Sequence, residues 1–307
     1  MNSVVAAMSL PDVKPRIIDF VRRASTEVTT HDEKVLPELA HTLLPGSTVY
    51  VAHTPKAHFE DVIRVSLQVQ SLGLRASPHL VARRLPNEQA VREGLLKLHD
   101  AGVEQALLVA GDRDAPLGPY TNSLDVMASN VLTGSGLRLL GVAGHPEGHP
   151  QAITQQLWQA LRVKQEFGAR TGIAVHVATQ FGFNPQGIHD WAAQFDEQGI
   201  SLPVHAGIAG PTSFTKLLRF AMQCGVGASL HSAAKNMRAV TNVARQATAP
   251  EDMVPALVEL GAGSEFARIA QPHFFTFGGA VATAKWIRSV SEGAFHIRPD
   301  GSISFES

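Results

Sequence analysis

Eight short apolar runs alternate with amphipathic stretches along most of the chain. The runs cover residues 26–30, 48–53, 75–81, 105–111, 137–143, 172–180, 202–208 and 267–275. Most of them are continuously apolar, which is typical of parallel strands covered by helices on their outer face. Between them, apolar residues three and four positions apart predict helices, as in 87–101, 151–167, 185–198, 213–224 and 250–260. Strand–helix alternation repeated eight times predicts a (β/α)8 barrel, the TIM-barrel fold of the α/β class.

No linker rich in proline, glycine or serine divides the chain, so we expect residues 1–307 to form a single barrel domain. Residues 1–15 are assigned to an N-terminal extension and residues 296–307 to a C-terminal tail, with a helix over 13–23 before the first strand. Residues 228–249, between the last two strands, are expected to hold extra helix. An open, doubly wound sheet is the competing fold, but no Gly-x-Gly-x-x-Gly segment follows any strand.

Composition and charge narrow the class of partner. The 307 residues are 44% hydrophobic and 17% charged, and a formal net charge of −1 gives no support for nucleic acid or an anionic membrane. Cys224 is the one cysteine, so no intramolecular disulfide can form and a reducing compartment fits. No apolar run approaches the roughly 20 residues that span a bilayer. We therefore expect a cytoplasmic protein.

Polar side chains follow nearly every predicted strand. They are Glu27, His53, His79, Asp112, His145 with Glu147, Gln180, and the segments 207–210 and 273–276. The active sites of barrel enzymes lie at the carboxyl ends of the strands, where these side chains would meet. This uniform placement favours a site for a small molecule.

Some of these residues indicate particular chemistry, and each has an alternative reading. A carboxylate inside an apolar run is costly to bury, so Glu27 either has the raised pKa of a general acid or sits at an edge. Asp112 either serves the site or closes an Asx turn. Gln180 carries an amide whose hydrogen bonds would be unmet without a ligand. His176 and His205 lie within strands and are interpreted as satisfied core histidines.

Metal and nucleophilic chemistry are weaker alternatives. Several histidines at strand ends are typical of metal-dependent hydrolase barrels, but the first strand has no His-x-His pair. His145, Glu147 and His149 form the one compact trio, and the prolines between them make joint ligation awkward. No Gly-x-Ser-x-Gly segment is present, and Cys224 lies in an apolar helical stretch.

Five segments occur in an order that resembles the methylenetetrahydrofolate reductase family. They are Ser-Thr-Glu-Val-Thr at 25–29, Ser-Pro-His-Leu at 77–80, Gly-Asp at 111–112, His-Pro-Glu-Gly-His-Pro at 145–150 and Thr-Gln-Phe-Gly-Phe at 179–183. The resemblance runs from about residue 16 to about residue 295. The Pro-Glu-Gly-His-Pro and Thr-Gln-Phe segments are its most specific parts.

The resemblance implies a barrel that binds FAD at its mouth and reduces 5,10-methylenetetrahydrofolate to 5-methyltetrahydrofolate with NADH or NADPH, in one-carbon metabolism. It implies that Glu27 protonates the folate N10, that Asp112 favours the cationic iminium, and that Gln180 binds the pterin. The other residues it assigns are Phe183 and Phe214 for the substrate and His53, His79, Gly111, Tyr120, Ser123, His145 and Lys164 for the cofactor. It also implies a homo-oligomer. A folate-binding barrel without reductase activity is a further alternative.

Departures from the family concentrate on the flavin side. Ala110 stands where the family commonly has Arg, and Val28-Thr29-Thr30 replaces aromatic and proline residues after the acid. Family members hold the flavin ribose and pyrophosphate with Asp, Asn and Arg on the helix after the proline-rich tract. The matching positions here are Leu157, Ala160 and Val163. Either FAD is held by Lys164, Arg162 or Arg113, or hydride passes directly from the nicotinamide to the folate.

Overall fold

Eight parallel strands close into a barrel in which each strand pairs with the next and β8 pairs with β1. The computed structural model describes residues 10–212, 250–264 and 267–306. The strands are β1 Ser25–Thr29, β2 Thr48–Ala52, β3 Arg75–Val81, β4 Gln105–Val109, β5 Leu139–Gly144, β6 Ala174–Phe181, β7 Val204–Ala209 and β8 Ile269–Phe275. All eight fall within or next to the predicted runs, so the predicted (β/α)8 barrel is confirmed.

Helices cover the outside of the barrel. They are α1 Leu10–Arg22, α2 Leu36–Thr42, α3 Phe59–Ser71, α4 Glu88–Asp100, α5 Ser123–Ala128, α6 Thr154–Thr171, α7 Pro185–Ala193, α8 Pro250–Glu259 and α9 Ala280–Ser291, with short 3-10 turns at Glu33–Val35 and Ala82–Arg84. The helix expected before the first strand is α1, which packs on α8 and α9. A two-stranded hairpin, β9 His296–Ile297 with β10 Ile303–Ser304, follows α9. Phe214, Cys224 and residues 228–249 lie outside the described residues.

Strand side chains alternate between two environments. Those pointing outward, such as Val28, Leu80 and Leu108, are fully buried against the helices in one continuous hydrophobic core. Burying each such side chain stabilises the fold by about 1.5–3 kcal/mol. Those pointing inward form a separate small cluster around Tyr50 and Leu107 inside the barrel. The same alternation places Glu27 inside the barrel, because it is paired with Tyr50 in the register of β1 and β2.

Side chains pack closely around Gly141 in the barrel interior. A Cβ atom on Gly141 of β5 would lie 2.9 Å from His176 Nε2 and 2.9 Å from Leu107 Cδ1. No real Cβ tolerates such contacts, so glycine at this position makes room for the two neighbouring side chains. The interior therefore accepts a histidine ring where a larger residue on β5 would exclude it.

Candidate active site

Glu27 lies in the middle of β1 and is the carboxyl group most perturbed by its surroundings. Burial raises its pKa from 4.5 to about 8, and the negative charge of Asp32 raises it further in the same direction. None of the described residues donates a hydrogen bond to it, which would have offset the burial. The residue keeps some exposed surface in the folded chain. Glu27 therefore carries a proton at neutral pH, as a general acid requires.

Gln180 and His145 come together at the carboxyl ends of neighbouring strands. Gln180 lies near the end of β6, and His145 directly follows β5; their side chains share a hydrogen bond. Burial lowers the pKa of His145 to about 4, which the bond to Gln180 only partly offsets. His149 packs edge-on against His145, with 4.9 Å between the ring centroids. A neutral imidazole and an amide therefore stand side by side at the barrel mouth.

Lys164 lies close to His145 on the inner face of α6. It is only 7% exposed, and burial lowers its pKa from 10.5 to about 8. Its charge also lowers the pKa of His145, which shows that the two groups are neighbours. None of the described carboxylates forms an ion pair with it. A buried cation without a counter-ion is costly, so its position favours binding of an anionic group.

His53, directly after β2, and His79, in β3, are two further histidines on neighbouring strands. His53 Nε2 donates to the backbone carbonyl of Ala57 at 3.2 Å, and burial lowers its pKa to about 4. Burial also lowers the pKa of His79 to about 3, with a smaller contribution from the charge of His53. His53 Nδ1 and His79 Nε2 are buried and have no hydrogen-bond partner in the part of the chain that the structure describes. Both rings are therefore neutral and have nitrogen atoms available for a ligand or water.

Asp112 follows β4 and lies exposed at the rim of the barrel mouth. Its side chain is 78% exposed and accepts a hydrogen bond of 2.6 Å from Arg84 Nη2. The residue before it, Gly111, has φ +89°, and a Cβ there would lie 2.4 Å from Val81 Cγ1. Glycine is thus required for the turn that carries Asp112 away from the end of β4.

The remaining predicted residues occupy different surroundings. Tyr120 is buried in the hydrophobic core, with its hydroxyl 3.4 Å from Ser129 Oγ, and Ser123 is buried at the start of α5. Phe183 packs edge-on against Phe181, with 5.7 Å between the rings. The described residues thus place Phe183 at the mouth, whereas Tyr120 packs behind it.

An aromatic cluster at the mouth was not predicted from the sequence. Phe181, Phe183, Phe275 and Phe277 pack together, with ring centroids 5.0 Å apart for Phe181 and Phe277 and 5.4 Å apart for Phe181 and Phe275. Phe277 has φ +48°, a left-handed conformation that is strained for a bulky residue. The segment His-Phe-Phe-Thr-Phe at the end of β8 could have signalled this aromatic wall.

Comparison with known protein families identifies the chain. The sequence profile of the methylenetetrahydrofolate reductase family matches residues 47–285, which is most of the chain. The chain belongs to this family. The match covers seven of the eight strands and includes the segments around His79, His145 and Gln180, which carry the resemblance noted in the sequence.

Several solved structures are similar to the chain at low sequence identity and with TM-scores below 0.5. A dihydropteroate synthase from Thermus thermophilus is 13% identical with a TM-score of 0.44, over 86% of this chain and 91% of that one. An oxaloacetate acetylhydrolase is 14% identical with a TM-score of 0.42, over 76% of this chain and 86% of that one. The carboxyl transferase domain of Rhizobium etli pyruvate carboxylase is 11% identical with a TM-score of 0.45, over 92% and 49%.

The family's FAD does not fit the α6 face among the described residues. Leu157, Ala160 and Val163 are apolar and partly exposed along that helix. Arg162 is occupied by Gln159 and Gln198, and Arg113 donates to the carbonyl of Ala115. Lys164 is the cation that remains, against the two negative charges of a pyrophosphate.

The part of the chain that the structure describes contains neither a cluster of metal ligands nor a membrane-spanning helix. The described His, Cys, Asp and Glu side chains form no group of three that could hold a metal ion. Within the same residues, every helix is too short or too polar to cross a membrane.

Proposed function

We propose that this protein reduces 5,10-methylenetetrahydrofolate to 5-methyltetrahydrofolate with NADH or NADPH as the hydride donor. The observation that carries the proposal is the protonated Glu27 inside the barrel of a methylenetetrahydrofolate reductase family member. A carboxyl group with a pKa of about 8 is protonated at neutral pH and can act as an acid there. Pure folate binding does not need such a group, so the acid favours catalysis.

The proposed reaction begins with proton transfer from Glu27 to N10 of the folate. The bond between N10 and the methylene carbon then breaks, and N5 and that carbon form a cationic iminium. Hydride from C4 of the nicotinamide adds to the methylene carbon, which gives the N5-methyl group and oxidised nicotinamide. Gln180, held by His145, is assigned to the pterin ring. The aromatic wall around Phe183 offers flat apolar surface for the ring systems.

Asp112 is assigned a supporting electrostatic role in this reaction. A carboxylate near the pterin favours the cationic iminium over the closed ring. In the structure Arg84 pairs with Asp112 and offsets its charge. The carboxylate of Asp112 is largely exposed to solvent, which weakens the ion pair, although Arg84 itself is only 11% exposed. The assigned role thus requires Arg84 to move aside when folate binds.

We propose further that hydride passes directly from the nicotinamide to the folate, without FAD. The support is the apolar α6 face, where Leu157, Ala160 and Val163 offer no partner for a flavin ribose or pyrophosphate. A mouth without flavin leaves room for the nicotinamide next to the pterin. Lys164 is then the cation available to the pyrophosphate of the reduced dinucleotide.

One experiment tests the function and the flavin together. Purified protein is examined for flavin absorbance, and oxidation of NADH and of NADPH by methylenetetrahydrofolate is followed with and without added FAD. The expected result is a colourless protein that turns over without FAD. Turnover only with FAD would refute direct transfer, and absence of turnover in every combination would refute the reductase proposal.

A matched pair of variants tests the acid. Glu27→Gln keeps the size of the side chain and removes the acidic proton, so folate reduction should fall by about 10²-fold or more. Glu166→Gln changes an exposed carboxyl on α6 and should retain the turnover of the wild type. Normal turnover in Glu27→Gln would show that the acid is assigned to the wrong residue.

A further inference from the structure

The interior of the barrel beneath Glu27 is polar, unlike the branched apolar packing usual in this fold. Four histidines from four strands point into it, and we refer to them as the interior histidine cluster: His79 of β3, His176 of β6, His205 of β7 and His273 of β8. His273 and His176 are 1% and 2% exposed. Burying so many polar rings costs stability, so a function for them must be sought.

Two hydrogen bonds tie this cluster to the strands that carry Glu27 and its neighbour. Tyr50 Oη and His176 Nε2 are 2.8 Å apart, and Ser25 Oγ and His273 Nδ1 are 2.9 Å apart. Tyr50 is the register partner of Glu27, and Ser25 precedes Glu27 by two residues on the same face of β1. Groups that can pass protons therefore lie directly beside and below the acid.

Contacts between aromatic rings connect Tyr50 and the four histidines into one cluster. The Tyr50 and His273 rings have centroids 4.5 Å apart, and the His176 and His205 rings stack at 3.9 Å. His79 meets Tyr50 edge-on at 5.9 Å. Toward the amino-terminal end of the barrel, the side chains of Gln105 and Thr48 approach each other to 3.4 Å. Along β2, Thr48 lies two residues before Tyr50, so polar side chains lie between that end of the barrel and the level of Glu27.

Among the described residues, three nitrogen atoms of the cluster have no hydrogen-bond partner. They are His79 Nε2, His176 Nδ1 and His205 Nδ1, all of them buried. Buried polar atoms in native proteins are nearly always hydrogen-bonded, and ordered water is the usual partner where protein supplies none. The cluster therefore has the donors and acceptors that bound water needs.

We propose that ordered water joins the nitrogen atoms of the interior histidine cluster and that this hydrated cluster returns a proton to Glu27 during turnover. The inference rests on the proposed function, since it takes Glu27 as the acid. Folate and nicotinamide fill the carboxyl mouth during the reaction and separate Glu27 from bulk water there. A route from the opposite end of the barrel restores the proton without release of the ligands.

The proposed transfer is a relay in which only O–H and N–H bonds form and break. One proton enters from water at the amino-terminal end, each histidine accepts at one nitrogen and releases from the other, and one proton reaches the Glu27 carboxylate. Around Glu27, Asp32 acts on its pKa and Tyr50 of β2 is its register partner, while Leu107 of β4 and Gly141 of β5 are paired with each other in the barrel interior. Burial keeps the histidines neutral, so Glu27 holds the proton most strongly.

Tyr50→Phe and His205→Phe test the relay, because each keeps an aromatic ring and removes its proton-passing atoms. NAD(P)H oxidation is measured in H2O and D2O, with Ser66→Ala as a control that removes a buried hydroxyl within α3. We expect kcat to fall about tenfold or more in both test variants, with the KM for folate unchanged and a larger solvent isotope effect. Wild-type kcat and isotope effect in a variant that folds would overturn the relay, as would a fall in kcat without a larger isotope effect.

A crystal structure of the wild-type protein tests the hydration without any assay. Water bonded to His79 Nε2, His176 Nδ1 and His205 Nδ1 is expected, and a dry interior would overturn the inference. Failure of the wild-type chain to reduce folate is a separate outcome that would overturn the proposed function, and the relay with it, whatever water is found.

Discussion

Replacing Glu27 with Gln should stabilise the protein at neutral pH while it abolishes the proposed chemistry. The pKa of Glu27 rises from 4.5 in an unfolded chain to about 8 in the fold. Between these values the unfolded state releases a proton that the folded state keeps, so stability is lost as the pH rises from about 4.5 to about 8. Glutamine has the same shape and does not ionise, so the variant avoids this loss.

The size of the effect follows from the gap between the two pKa values. About pH 7.5 lies roughly three units above the pKa of the unfolded state, which corresponds to a loss of about 4 kcal/mol at 1.36 kcal/mol per unit. Glu27 keeps some exposed surface, and solvent screening reduces the figure to about 1–2 kcal/mol. At about pH 5.5 the same reasoning leaves roughly a third of that gain.

Thermal or denaturant unfolding at these two pH values provides the assay. Glu27→Gln should unfold a few degrees above the wild type at about pH 7.5, and the difference should shrink at about pH 5.5. Glu166→Gln, on the exposed side of α6, should behave as the wild type at both. A gain that is independent of pH, or a loss of stability at the higher pH, would refute the reasoning that burial keeps Glu27 protonated.

Three further predictions concern stability and binding. Burial lowers the pKa of His176 to about 4 and of His273 to about 3. Below about pH 6.5 these histidines therefore bind protons in the unfolded state but not yet in the folded state. Together they contribute a fall of about 3 kcal/mol per pH unit to the free energy of unfolding in acid, of which the opposite contribution of Glu27 offsets roughly half, and a urea midpoint that does not fall between about pH 6.5 and pH 5 would contradict this. Gly141→Ala should cost about 1–3 kcal/mol, because its Cβ meets the His176 ring, and an unchanged denaturant midpoint would argue against a filled interior. Lys164→Met should raise the melting temperature at about pH 7 and weaken NADH binding measured by calorimetry, whereas Lys97→Met on the exposed face of α4 should change neither.

The barrel could be predicted from the sequence because its signals are local. Each strand is a run of apolar residues, each helix shows the three–four spacing, and a chain that alternates them eight times has few ways to bury both. β1 and β5 begin within two residues of the predicted runs. Among the predicted strands, which all lie in the described residues, only the ends differ, where caps and turns decide the boundary.

The candidate site could be predicted in part. Gln180 and His145 end neighbouring parallel strands, so the order of strands alone brings them together. Asp112 also follows a strand, but the turn at Gly111 and the ion pair with Arg84 carry it to the rim. Tyr120 is assigned to the cofactor by resemblance and packs in the hydrophobic core. Such differences depend on turn geometry and on partners far away in the chain.

The sequence by itself determined the barrel and the family. Only the tertiary structure decided which groups are charged. Glu27 keeps its proton, and His176 and His273 stay neutral, because closure of the barrel removes water from all of them at once. Tyr50 and His176 are separated by 126 positions in the chain and share a hydrogen bond across the barrel. A pKa depends on burial and on neighbours in space, and the spacing of residues along the chain reveals neither.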